Sequence, residues 1–362
     1  MGIEPVRVQH GGDVYSQRAP GGGAWLDFSS NVSPLGMPLA VLAALSATVS
    51  EWAAYPDPQS RELRTALSAY TQVPYEQLVC GNGAADLIFR LCQVVAVRCP
   101  AGEVLVVAPT FSEYEAAALQ AGLSVRRFEL AKPALELDTG IIAAVRAETR
   151  LVFVCNPNNP TGLLSERALL EQLAARCEQV GALLVVDECF LSFTATPHDH
   201  SMIPMLQQYP CLAVLDAFTK KYALAGLRLG YLLCATAELA AAVAATGQPW
   251  AVSTPAQVAG IAALRSTDYL TELRALIAAE RPRLVAGLAA LGFAVLPGTA
   301  NYLCFRAPNN TPDLAAALRT HGILIRSCAN YPALSAAYYR VAIRTPADND
   351  TLITALSSVL QN

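Results

Sequence analysis

Short apolar runs of strand length alternate along this chain with longer segments of helical character. Val104-Leu-Val-Val-Ala108, Leu151-Val-Phe-Val-Cys155 and Leu183-Leu-Val-Val-Asp187 are nearly unbroken apolar runs. Leu78-Val-Cys80, Val125 to Glu129 and Leu212 to Asp216 read as further strands. Continuous apolar strands, as opposed to alternating ones, fit a mainly parallel sheet covered by helices on both faces. Helices are predicted over about 38–52 and 60–70, after Gly81-Asn-Gly-Ala-Ala-Asp86 to about Val97, and from about Ser165 to Val180. From about Ala235 the composition turns to alanine-rich helix, with a long helix near 268–291. Strand-like Phe293 to Leu296, Asn301 to Phe305, Ile323 to Arg326 and Tyr339 to Arg344 follow, with a helix near 312–321. The expected organisation is an N-terminal arm over 1–38 packing on the small domain and the site, a large α/β domain over 39–250, and a small α+β domain over 251–362.

Composition narrows the class. Hydrophobic residues make up 54% of the 362 and charged residues 15%, so a large buried core is expected and disorder is not. A net charge of −4 offers no electrostatic attraction for nucleic acid or an anionic membrane. Mean hydropathy is high, at +0.36. Even so, no apolar run reaches the roughly 18 residues a membrane helix requires. Residues 1–23 are polar and glycine-rich, unlike a signal peptide. The 10 cysteines are scattered without a C-x-x-C pair, as expected of free thiols in a reducing cytoplasm. The 4 histidines form no ligand cluster, and no metal is expected.

The polar motifs fall at the C-terminal ends of the predicted strands, where open α/β sheets bind ligands. Gly81-Asn-Gly-Ala-Ala-Asp86 joins a strand to a helix. Such a turn either points backbone N–H groups at an anion or is an ordinary tight connection. Asp187-Glu188 ends another strand. Phe218-Thr-Lys-Lys221 holds two of only three lysines in the chain, and Arg228 follows it. A hydroxyl, an amine and a guanidinium together suit a ligand that needs a covalent amine and a phosphate clamp, as pyridoxal phosphate does. On these residues alone, a surface loop with two solvated lysines fits equally well.

Asn159-Pro-Thr-Gly162, Asp187-Glu188 and Thr219-Lys220…Arg228 occur in an order and spacing that resembles the pyridoxal-phosphate enzymes of the aspartate aminotransferase fold, fold type I. The likeness runs from about His10 to Arg344. It implies pyridoxal 5'-phosphate as cofactor, bound by the large domain. It implies that Lys220 bonds the cofactor aldehyde, eight residues before the phosphate-binding Arg228. Asp187 would pair with the pyridinium nitrogen, Asn159 would hydrogen-bond the ring hydroxyl and Phe111 would stack on the ring. Ala84, Ala85 and Thr219 would cradle the phosphate. Tyr55 would reach the phosphate of a partner subunit, which implies a homodimer. Taken singly, Asp187 could serve a strand-end ion pair, Asn159 a turn and Phe111 the core.

Within that family the chain is similar to histidinol-phosphate aminotransferases and to threonine-phosphate decarboxylases of cobalamin biosynthesis, more to the second. His10-Gly-Gly-Asp13, Phe28-Ser-Ser-Asn-Val-Ser-Pro-Leu-Gly36, Ile325-Arg-Ser-Cys-Ala-Asn-Tyr331 and Arg340-Val-Ala-Ile-Arg344 carry that likeness. So does Phe190, where the aminotransferases commonly have tyrosine. Asp13 and Tyr331 depart from the usual Asn and Phe. The expected reaction is decarboxylation of O-phospho-L-threonine to (R)-1-amino-2-propanol O-2-phosphate, with O-phospho-L-serine as a second candidate substrate. The alternative is an aminotransferase acting on histidinol phosphate or an aromatic amino acid. The residues expected at the substrate are His10, Asn31, Asn159, Arg326, Arg340 and Arg344.

Overall fold

The computed structural model describes residues 10–361. The first nine residues of the arm expected over 1–38, and residue 362 of the small domain, lie outside the described residues. Seven strands form the large sheet: β1 (Leu78–Asn82), β2 (Glu103–Ala108), β3 (Ser124–Glu129), β4 (Thr149–Cys155), β5 (Leu183–Asp187), β6 (Leu212–Ala217) and β7 (Leu229–Cys234). Their order in space is β1-β7-β6-β5-β4-β2-β3. The contacts from β3 through to β6 are parallel, and β7 runs antiparallel to both β6 and β1. β5, β6 and β7 are buried almost throughout, as their unbroken apolar sequences require. The edge strand β3 carries Arg126 and Arg127, whose charges discourage pairing with another chain.

β7 is not among the strands predicted from sequence. Gly230 weakens the strand signal, yet the glycine has a packing reason: a Cβ there would lie 2.4 Å from the Ala84 nitrogen. Because β7 runs against its neighbours, its beginning lies beside the C-terminal ends of the others. Arg228, immediately before it, is thereby delivered to the same edge as Asp187 and Ala217.

Helices cover the sheet. The first helix, α1 (Leu39–Ala47), is shorter than predicted. The Thr48 hydroxyl donates to the Ala44 and Leu45 carbonyls, and residues 49–53 continue as a 3₁₀ turn. Helix α2 (Gly83–Arg98) buries Leu87, Ile88, Leu91, Cys92, Val94 and Val95, an apolar face at helical spacing. Asp86 in its first turn and Arg98 in its last suit the helix dipole. Helices α3 (Glu113–Gln120), α4 (Arg167–Val180) and the single turn α5 (Phe218–Lys221) follow β2, the β4 loop and β6.

The C-terminal part holds α6 (Tyr269–Ala290), an antiparallel four-stranded sheet and α7 (Pro346–Gln361), a helix not predicted from sequence. The sheet strands are β8 (Ala294–Val295), β9 (Tyr302–Arg306), β10 (Arg326–Ser327) and β11 (Tyr338–Ala342), in the order β10-β11-β9-β8. The strand expected over 323–326 divides between two sheets. Ile323–Leu324 pairs in parallel with Leu26–Asp27, and Arg326–Ser327 turns to pair with β11. Phe28, fully buried, donates its N–H to Leu324 and accepts from Ala342, so the N-terminal segment is sewn to the C-terminal sheet.

Candidate active site

The strand ends enclose a cavity of about 360 Å³. Its wall begins at α2. Gly83 takes φ +79°, and any Cβ there would meet the Arg228 guanidinium at 2.5 Å. This approach sets Arg228 against the first turn of a 16-residue helix, whose Ala84 and Ala85 also line the cavity. Free N–H groups, the helix dipole, a guanidinium and the nearby Thr219 make a cradle suited to a phosphate.

Asp187, 5% exposed, ends β5. The Tyr114 hydroxyl donates to Oδ2 at 2.6 Å and the Cys189 N–H to Oδ1 at 3.0 Å. Among the described residues no cation pairs with it. Burial raises its affinity for a proton, and the hydrogen bonds from Cys189 and Tyr114 partly offset this. A buried carboxylate that faces a cavity and has no cation paired with it fits a ligand that brings a protonated ring nitrogen.

Lys220 projects from α5 into the cavity. Burial, then the charges of Arg340 and Arg228, depress its amine to about 8. A nucleophilic amine near neutral pH is what bonding to an aldehyde requires. Phe111 lines the opposite wall, its ring 5.6 Å edge-on from Tyr114 and 5.9 Å from His10. Asn159 is held by the loop after β4: the Asn158 amide accepts from Thr110 and donates to Pro109 and Thr161, and the Tyr302 hydroxyl donates to the Asn158 carbonyl.

The far wall is cationic. Arg326 and Arg340 lie directly opposite one another on β10 and β11, and both line the cavity. Arg340 donates to Asn159 Oδ1 and to the Ser29 carbonyl, leaving Nε buried without a protein partner. Arg326 donates to Asn330 and stands 5.1 Å from the Tyr331 ring. Asn31 is 2% exposed, and its Oδ1 has no partner although the Asn301 amide donates to its carbonyl. His10 reaches the mouth from the arm and pairs with Glu113 at 2.8 Å.

The cavity thus gathers His10, Asn31, Ala84, Ala85, Phe111, Asn159, Asp187, Thr219, Lys220, Arg228, Arg326 and Arg340 of the residues expected at the site. Two stand apart in this chain. Tyr55 is 80% exposed and stacks on Trp250 at 4.7 Å. Arg344 pairs with Asp348 at 3.0 Å and donates to the Asp27 carbonyl, away from the cavity. Tyr114 and Glu113 were not singled out from sequence. Their partners lie 73 and 103 positions away, and only the fold brings them together.

The chain belongs to the aminotransferase class I and II family, which matches residues 24–356. Its fold is the fold type I architecture of pyridoxal-phosphate enzymes, and its cofactor is pyridoxal phosphate. It is 40% identical to a threonine-phosphate decarboxylase of Salmonella typhimurium over 92% of this chain and 91% of that one. It is 35% identical to an aromatic amino acid aminotransferase of Thermobifida fusca over 90% and 88%. A histidinol-phosphate aminotransferase from Sinorhizobium meliloti, solved with pyridoxal-5'-phosphate, superposes with a TM-score of 0.83 at 28% identity, covering 92% and 89%.

Proposed function

We propose that this enzyme decarboxylates O-phospho-L-threonine, releasing CO2 and (R)-1-amino-2-propanol O-2-phosphate. The observation that carries the reading is the Arg326–Arg340 pair. Like charges placed directly opposite on neighbouring strands repel, and a substrate with two anionic groups offsets that cost. O-phosphothreonine brings both a carboxylate and a phosphate. Similarity to a threonine-phosphate decarboxylase points the same way.

Pyridoxal phosphate, when bound, supplies an electron sink for the α-carbon of the amino acid. The residues do the rest. Lys220 holds the cofactor covalently, and Asp187 holds its ring nitrogen protonated. Ala84, Ala85, Thr219 and Arg228 hold its phosphate, Asn159 its ring hydroxyl and Phe111 its ring face. Arg340 takes the substrate carboxylate with a fork that fixes orientation, and Arg326 with His10 takes the substrate phosphate. Asn31 Oδ1 accepts from the substrate. The Lys220 amine, set free when the substrate amine takes its place, would return a proton to the α-carbon after CO2 leaves. Tyr55 belongs to the cofactor site of a second copy, so the working unit is a homodimer. In this reading residues 10–38 act as the arm that closes the site, and the product serves cobalamin assembly.

The test is CO2 release from O-phospho-L-threonine by cofactor-loaded enzyme without any 2-oxo acid. Multiple turnovers support the reading. No CO2, together with conversion of the cofactor to its amine form by histidinol phosphate or an aromatic amino acid, overturns it in favour of transamination. A parallel run with O-phospho-L-serine ranks two substrates that differ by one methyl group, worth about 1–3 kcal/mol.

A further inference from the structure

Lys221 neighbours the cavity lysine in sequence but points away from the cavity. It is 1% exposed, and its Nζ contacts the Asp216 carboxylate. The Tyr231 hydroxyl, 3.3 Å from Nζ, donates to Asp216 Oδ2 at 2.6 Å. The rings of Phe218, Tyr222 and Tyr231 stand 5.9, 6.0 and 5.4 Å from the ammonium. Burial, the largest single effect, opposes the charged amine, but Asp216 together with Tyr231, Tyr70 and Tyr222 outweighs it and holds the Lys221 amine well above its usual range. A buried ion pair contributes little net stability compared with an apolar pair of similar volume.

The place of the pair suggests a second role. Asp216 is the penultimate residue of β6, and Ala217 after it lines the cavity. Asp187 ends the adjoining β5, and the Glu188 N–H donates to the Leu215 carbonyl. Three carboxyl groups therefore collect at one end of two neighbouring strands. Glu188 is pushed up to about 8 by burial, against hydrogen bonds from Met202 and Ser201. Of the three, only Asp187 faces the cavity. The ionisable groups around Asp216 are Lys221, Tyr231, Tyr70 and Tyr222, with Asp187, Glu188 and Cys189 on the β5 side. Lys221 is the one cation in that set.

We propose that Lys221 is an electrostatic positioning residue: by pairing with Asp216 it keeps the floor beneath the cavity net neutral, so that of the carboxylates at these strand ends only Asp187 acts on the cofactor on Lys220, beside the cavity's own Arg228, Arg326 and Arg340. The pair thereby sets the pH at which the bound cofactor gains and loses its proton. This rests on the assignment of Lys220 under the proposed function. A unit charge roughly 10 Å from a titrating group moves its midpoint by about one pH unit at an effective dielectric near 20.

The experiment uses holoenzyme. Borohydride reduction and peptide mapping come first, and a label on any residue other than Lys220 overturns the assignment of that lysine. With the label on Lys220, the pH midpoint of the cofactor's visible absorbance is measured for wild type, Lys221→Met, Asp216→Asn and the double variant. Lys221→Met leaves a buried anion, which favours the protonated cofactor, so the midpoint rises by about one unit. Asp216→Asn leaves a cation, and the midpoint falls by a similar amount. The double variant, neutral again, returns to the wild-type value. Single-variant midpoints within about 0.2 unit of wild type, shifts in the same direction, or a double variant that does not return overturn the proposal. Should Lys221→Met fail to fold, Asp216→Asn and the double variant carry the same test. A double variant that also fails to hold cofactor assigns the pair to the fold alone and overturns the proposal too.

Discussion

Arg340 on β11 donates to the side chain of Asn159, 181 positions earlier in the chain, across the cavity between the two sheets. Its second amine donates to the Ser29 carbonyl at 2.6 Å. One guanidinium therefore ties together the N-terminal segment, the β4 loop and the C-terminal sheet. Its Nε is buried without a protein partner.

Arg340→Lys keeps the charge and removes the fork. A lysine cannot serve Asn159, Ser29 and a carboxylate at once. Losing a buried charged hydrogen bond costs about 2–4 kcal/mol, so kcat/KM for O-phospho-L-threonine is expected to fall roughly 30- to 10³-fold. The cofactor's absorbance should stay as in wild type, because in the proposed reading Arg340 holds substrate and the lysine keeps its charge. Steady-state kinetics beside a visible spectrum checks both halves, and an unchanged kcat/KM would remove Arg340 from the substrate site.

Asp187 sets function against stability. Asp187→Asn cannot balance a protonated ring nitrogen, and kcat is expected to fall at least ~10²-fold. Tyr114→Phe, which deletes one hydrogen bond to a charged group, should cost about tenfold. Without cofactor the sign reverses. Burial raises the carboxyl of Asp187 above its unfolded value, so the native state binds the proton more tightly and Asp187 stabilises it only at low pH. That contribution is lost as pH rises through the native value. Cofactor-free Asp187→Asn should therefore melt no lower than wild type at pH 7, and higher if the penalty is large. Calorimetry of the two cofactor-free proteins, compared at pH 7 and near pH 4, measures it.

Much of this site was legible because strand ends are punctuated in sequence. Asn159, Asp187, Lys220 and Arg228 each sit where an apolar run stops or starts, and a parallel sheet collects such points at one edge. Tyr114 could not be read that way. It lies on a helix face that looks like ordinary core, and its partner is set by the β2–β4–β5 stacking. β7 was hidden because Gly230 serves a close backbone approach at the expense of strand propensity. Lys221 beside Lys220 was ambiguous until the helical turn of α5 placed the two amines on different sides. Arg344 shows the converse: motif position named it, yet it turns to Asp348 and the Asp27 carbonyl, away from the cavity.

Lys220 carries a pH signature of its own. Its native value of about 8 lies below the ordinary 10.5. The unfolded chain therefore binds more protons between those values, and burial of the lysine penalises folding below about pH 8. The penalty is relieved as pH rises toward 10.5. The neutral amine is also the form that bonds an aldehyde. Cofactor uptake by cofactor-free protein is expected to accelerate with a midpoint near pH 8, well before an ordinary lysine would respond. Stopped-flow absorbance across pH 6.5–10 reads this directly. A rate still climbing tenfold per unit above pH 9 would show that Lys220 is not depressed.

The exposed apolar side chains give the last prediction. Leu39, Leu42, Val49, Trp52 and Tyr55 fall within one short stretch on α1 and the turns after it, at 83%, 46%, 55%, 41% and 80% exposure. Trp250, 47% exposed, stacks on Tyr55. Large apolar side chains left exposed so close together in the chain are costly in water unless covered, and a second copy covers them in the proposed homodimer. Leu39→Glu with Leu42→Glu should bury like charges at such an interface and yield monomer in analytical ultracentrifugation. If Tyr55 completes the partner's phosphate cradle, that monomer should also hold cofactor about tenfold more weakly. Tyr55→Phe separates the two effects: it keeps the ring, hence the dimer, and loses only the hydroxyl, so cofactor affinity should drop while sedimentation stays that of wild type. A dimeric Tyr55→Phe with unaltered cofactor affinity would restrict Tyr55 to packing.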